Sequence, residues 1–152
     1  METQIFDVLA MLHLMVLSLW GGVVSTEAVI EVLPFRQRGL HAATILFHYW
    51  IDLLVELPLV LAVIATGVAL FFLTETVTTL HLVKIGLGGA AVAVNLFCIV
   101  VVVKRGRRLE RDGDDEGLWG SSRTVIMCFV GGLLCAAGAA VLGFRFAIER
   151  LG

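Results

Sequence analysis

His48, Asp52 and Glu56 recur at four-residue intervals in a stretch otherwise rich in Leu, Val, Ile and aromatic residues. On a helix that spacing stacks them along one face. Glu27 and Glu31 make the same four-residue step in the preceding apolar stretch. Three carboxylates and an imidazole from two adjacent helices could bind a divalent metal ion or relay a proton. Glu27, His48, Asp52 and Glu56 are therefore the candidate metal ligands. The competing reading is an interfacial rim neutralised by Arg36, Arg38 and Arg123. Glu56 fits that rim worst, because it lies one turn deeper than Asp52.

These side chains sit in a chain of 152 residues, 59% of them hydrophobic. A soluble domain of this size does not have that composition. Crossing the hydrocarbon core takes about 20 apolar residues as a helix. Four stretches qualify, 8–26, 53–73, 82–103 and 125–146. An open strand would leave backbone groups unpaired in lipid, so each stretch reads as a helix. The expected fold is all-α, an integral membrane up-down four-helix bundle in one domain, 1–152. Its helices are expected over about 5–32, 43–73, 80–104 and 122–148, with a loop over 105–121. Thr79 is the expected N-cap of the third helix.

Charge gives the orientation. Of eleven Lys and Arg residues, eight flank the first and third connections: Arg36, Arg38, Lys104, Arg105, Arg107, Arg108, Arg111 and Arg123. The positive-inside rule places those connections in the cytoplasm and both termini outside, in a bacterial-type inner membrane. No basic residue precedes the first apolar run, so the segment reads as a retained helix rather than a secretory signal. After the basic run the third connection turns acidic over 112–116. It reads as a solvated loop, or as a docking point for a partner or anionic lipid.

Cys98, Cys128 and Cys135 lie inside apolar stretches without a paired motif and read as packing residues. Small residues recur every fourth position in the last helix, at Gly131, Cys135, Ala139 and Gly143. Gly86, Gly88, Gly89, Ala90 and Ala93 crowd the third. Such seams let backbones approach closely, within one bundle or between subunits. The expected partners are the bilayer and other membrane subunits or a second copy of the chain. No nucleotide, phosphate or nucleophile motif occurs, and no nucleic-acid partner is expected.

Depth separates the polar groups into two layers. From the rise per residue, Glu56 lies about 10 Å to the cytoplasmic side of the bilayer centre, and Glu27 and Asp52 about 15 Å. Glu31 and His48 come out near ~20 Å, in the headgroup zone, and read as rim residues. Asn95 lies about 4 Å inward of centre. On the other side lie His13 at about 6 Å, Lys84 at about 13 Å and His81 at about 17 Å. Met11 and Met15 fall on the face opposite His13.

The outer layer carries a resemblance. His13, followed seven residues later by Trp20 and then by Gly21 and Gly22, resembles the first helix of two small membrane families. These are the HemJ-type protoporphyrinogen oxidases and the membrane domain of copper-resistance D proteins. His81 and Lys84 in the third helix resemble the His/Lys helix of the HemJ type. The resemblance covers about a third of the chain by that comparison. It implies haem b bound through His13, with Lys84 important, and the heights allow His81 and Lys84 to meet the propionates. Gly67, Gly88, Gly89 and Gly138, at about the height of His13, would leave room for the macrocycle. Glu27, Asp52 and Glu56 lie outside that pattern.

Three functions follow as expectations. One is a haem-binding redox protein, an oxidoreductase or electron carrier working with a quinone, porphyrin or partner subunit. Another is a divalent-metal or proton pathway through the carboxylates and His48. The last is a non-catalytic subunit of a larger membrane complex.

Overall fold

The computed structural model describes residues 2–74, 76–113 and 116–151. Of the second connection, Glu75 lies outside them, as do Asp114 and Asp115 of the acidic run. Helix α1 spans Glu2–Val32 and ends in a 3₁₀ turn, Leu33–Phe35, started by Pro34. A second short turn, Arg38–Leu40, leads into α2, His41–Ile51. A π-helical turn, Asp52–Glu56, joins α2 to α3, Leu57–Phe72, so the three form one rod. Helix α4 runs over Thr79–Asp112, and α5 over Trp119–Leu151. No strand occurs among the described residues, and four helical rods are long and apolar enough to cross a membrane.

The wide turn in the second rod has a local cause. Pro58 has no N–H to give the carbonyl four residues back, and its ring crowds that carbonyl. The backbone opens instead, and the Leu57 N–H bonds to Asp52 O, five residues back. The turn also aims side chains. In an α-helix each four-residue step overshoots a full turn by about 40°. His48, Asp52 and Glu56 would drift around the rod, and the wider turn unwinds part of that drift. All three are buried.

The third helix outruns its expected end at 104 by two turns. Lys104 to Asp112 is rich in good helix formers, and Leu109 continues the buried face. The helix stops where Gly113 adopts φ 67° and donates its N–H to Leu109 O. Most of the expected loop over 105–121 is therefore helix, and Arg105 moves from the loop into the interior. At the other end Thr78, rather than Thr79, is the N-cap. Its hydroxyl accepts the His81 N–H, and the His81 ring reaches back to the Thr78 N–H.

The apolar arrangement suits lipid. Large side chains point outward, with Val8, Met11 and Leu134 each about 70% exposed. Inside, Val16, Trp20, Val60, Val63 and Ala91 form one apolar layer, and Tyr49, Val102 and Val125 another. Helix α1 lies on α3, and α4 on α5. Tyr49 seats its ring on Gly106, where an added Cβ would lie 2.7 Å from the ring. Gly106→Ala should therefore destabilise the protein by about 1–3 kcal/mol, the usual cost of overpacking. Gly131, with open space around it, should tolerate alanine without loss. Thermal unfolding of both variants in detergent checks the contrast.

Candidate metal centre

Four helices build the polar interior. Helix α1 supplies Trp20, Glu27 and Glu31. The second rod supplies His48, Asp52 and Glu56, while α4 adds Asn95 and Arg105. Ser122 comes from the first turns of α5. All are buried, with Asp52 at 0% and Glu31 at 1% exposure.

The strongest contact is a forked ion pair. Arg105 Nη1 donates to Glu31 Oε1 at 2.5 Å and Nη2 to Oε2 at 2.6 Å. Two parallel charge-assisted bonds hold both groups in one plane. Arg105 Nη1 also donates to Ser122 Oγ at 3.1 Å, and His41 Nε2 lies 3.2 Å from the same hydroxyl. His41 in turn stacks on Trp119, with ring centroids 3.9 Å apart.

Glu31 also sets the tautomer of His48. Its Oε2 lies 2.8 Å from His48 Nδ1. A carboxylate already engaged by a guanidinium has only lone pairs to offer, so Nδ1 carries the hydrogen and donates. Arg105 Nη2 lies 2.9 Å from the same nitrogen, so two donors converge on one carboxylate oxygen. The other nitrogen, Nε2, then faces Asp52 Oδ1 at 3.3 Å and Glu27 Oε2 at 3.7 Å. Neither contact is aligned as a hydrogen bond: both Asp52 oxygens are without a hydrogen-bond partner, as is Glu27 Oε1.

Glu27, His48 and Asp52 each bring one ligand atom to within 4.8 Å of the others. Metal bonds of about 2.0–2.2 Å place two ligands of one ion at most about 4.4 Å apart. A small side-chain adjustment closes that gap. The backing of His48 by Glu31 is the arrangement that orients metal-binding imidazoles. One nitrogen and several carboxylate oxygens, without thiolate, suit Zn²⁺, Mn²⁺ or Fe²⁺ better than Cu⁺.

Glu56 lies deeper. Its Oε1 accepts Trp20 Nε1–H at 3.2 Å and Asn95 Nδ2–H at 2.5 Å. It also lies near enough to Glu27 and Asp52 to interact with them electrostatically. Carboxylates packed this closely cannot all be ionised without a proton or cation between them. Among the described residues the one buried guanidinium, that of Arg105, is committed to Glu31.

These positions correct the expected rim. Glu31 and His48 are central, because the extended α4 and the start of α5 close over them with Arg105 and Ser122. Arg105, not Arg36, Arg38 or Arg123, neutralises Glu31. The signal for Arg105 was the continuation of a helical sequence from Val103 to Leu109. Asn95 stands out as a lone amide in an apolar run, but its pairing with Glu56 depends on how the rods rotate. Trp20 is both a packing residue and a donor.

His13, His81 and Lys84 make different packing contacts, with Lys84 near enough to His13 to interact with it electrostatically. His13 Nδ1 lies 2.7 Å from Thr66 Oγ1, whose hydroxyl donates to Ala62 O at 2.7 Å. Thr66 therefore accepts from His13 Nδ1–H. Gly67 makes room for the His13 ring itself, since an added Cβ would lie 3.3 Å from it. Gly138 lies under Leu87, and Gly88 and Gly89 face open space. His81 is in the cap of α4, and Lys84 lies over Gly143 of α5.

Compared with known proteins, the chain matches no family model, no curated protein and no solved structure.

The forked pair makes a direct prediction. Removing one partner leaves a buried charge unpaired, so Glu31→Gln and Arg105→Gln should each cost about 3–5 kcal/mol. The double variant should recover part of that loss. Thermal unfolding of the three variants in detergent measures the coupling.

Proposed function

We propose that this is an integral membrane protein that binds a divalent first-row metal ion at Glu27, His48 and Asp52, in exchange for protons. One observation carries the reading. Glu31 fixes His48 so that Nε2 meets the oxygens of Glu27 and Asp52, and both Asp52 oxygens are buried without a hydrogen-bond partner. Such atoms need a shared proton or a cation in a low-dielectric interior, and the imidazole nitrogen turned on them adds a metal-ligating group to the carboxylates. A bound ion would supply positive charge to those oxygens. The chain's own part is to hold the imidazole by Glu31, exclude water with the surrounding helices, and accept displaced protons. Glu56, held by Trp20 and Asn95, offers the next oxygen toward the membrane centre.

In this reading the bundle is up-down, the first and third connections face the cytoplasm, and the site opens from that side. The basic residues at those connections support the orientation. Whether the ion is resident or cargo is decided by transport into proteoliposomes.

A second reading makes the protein a haem-bearing redox protein with His13 as axial ligand. It is favoured by the bond from His13 Nδ1–H to Thr66, since that tautomer leaves a lone pair on Nε2. Lys84 lies near enough to His13 to interact with it electrostatically, which puts a cation beside this histidine.

The purified protein should bind Co²⁺ or Zn²⁺ with one ion per chain, read by Co²⁺ absorption and elemental analysis. His48→Ala and Asp52→Asn should abolish binding, and Glu31→Gln should weaken it about 10–100-fold. Protons compete for the same atoms, so affinity should fall as pH falls and binding should release protons. Unchanged binding in His48→Ala overturns the site. The haem reading instead requires a Soret band that is lost in His13→Ala.

A further inference from the structure

Beyond the buried centre, Pro34, Phe35, Arg38, Trp119 and Arg123 line a cavity of about 290 Å³. Phe35 and Trp119 meet edge to face, with centroids 5.3 Å apart. Arg38 and Arg123 are exposed, and neither forms an ion pair among the described residues. Two guanidiniums over an aromatic wall form a receptor for a phosphate group, since each fork can bond two oxygens.

The surroundings select the kind of phosphate. Val32, Leu33 and Phe35, at the same end of α1, are each more than 40% exposed. They continue the apolar surface that faces lipid, so the cavity joins the bilayer boundary to the basic end of the bundle. Its volume lies just below the range of small-ligand pockets, about 300–1,000 Å³. That holds a headgroup, with acyl chains left to lie along the apolar face outside. We infer that this cavity binds the headgroup of an anionic phospholipid, with Arg38 and Arg123 on the phosphate and Phe35 and Trp119 walling the glycerol.

The site adjoins the buried one without depending on it. Trp119, in the cavity wall, stacks on His41, whose ring reaches Ser122 and through it Arg105. An occupied cavity steadies the first turn of α5, where Ser122 and Arg123 are neighbours. The inference stands on Arg38 and Arg123 and survives loss of the metal reading.

The test uses the full chain in nanodiscs of phosphatidylcholine with phosphatidylglycerol, released and weighed by native mass spectrometry. The wild type should retain phosphatidylglycerol in preference to phosphatidylcholine. The double variant Arg38→Gln/Arg123→Gln should lose that preference by about 30-fold, from two cationic contacts. Arg107→Gln, an exposed basic residue outside the cavity, should keep it. Should the glutamine variant fail to fold, Arg38→Lys/Arg123→Lys keeps the charge but not the forks and should show a partial loss. The inference is overturned by equal retention of both lipids, an equal loss in Arg107→Gln, or a preference unchanged in the double variant. Displacement of the lipid by inorganic phosphate at matched concentration also overturns it, assigning the cavity to a free anion. A co-purifying protein that protects Trp119 from quenching, with no lipid retained, assigns it to a protein partner and overturns it as well.

Discussion

Among the described residues, four carboxylates and one guanidinium share the interior of a bundle whose walls are otherwise mostly apolar. The guanidinium of Arg105 is spent on Glu31 through two short bonds, and the rest of the polar interior follows from that pairing. It leaves Glu31 with lone pairs only, so His48 must donate to it from Nδ1. The other imidazole nitrogen is thereby turned on Glu27 and Asp52. It also leaves Glu27, Asp52 and Glu56 without a fixed cation. Replacing a pair of this kind by apolar residues is often neutral for stability, while breaking it is costly. Its presence here is better explained by the orientation it imposes on His48 than by the energy it contributes.

The second constraint is the backbone of the second rod. Pro58 interrupts the regular helix, and the wide turn that results runs from Asp52 to Glu56. The same turn that relieves the proline carries two of the carboxylates. Wide turns of this type concentrate at functional sites because they re-aim side chains without ending the helix. Glu56 is then met by Trp20 from α1 and Asn95 from α4. Three rods are thus joined through one carboxylate oxygen, well inside the bundle.

Much of this was legible from residue order. The four apolar stretches, the i, i+4 steps of Glu27–Glu31 and His48–Asp52–Glu56, and the odd depth of Glu56 all follow from helical periodicity. The rim reading failed at Glu31 and His48, which are buried inside the bundle. It ended the third helix at 104, whereas α4 continues to Asp112 and closes over them. A charged residue can extend a buried face when a partner waits on another helix, and the partner is invisible to a hydropathy argument. Arg105 was counted among solvent-facing cations for that reason. The capping of α4 by Thr78 and His81 was one residue away from the expectation, a shift that local hydrogen bonds decide.

The sequence by itself determined that the chain forms membrane-length helices, which residues share a helix face, and that an imidazole and several carboxylates fall within lipid reach. Those properties depend on composition and on the fixed geometry of one helix. Only the tertiary structure decided which carboxylate Arg105 neutralises, which nitrogen of His48 faces Glu31 and which faces Asp52 and Glu27, and that His13 bonds to Thr66. Each of these depends on the rotation and axial offset of one rod against another. Small and large side chains set those offsets at contacts such as Gly106 under Tyr49, and no periodicity within a single helix encodes them.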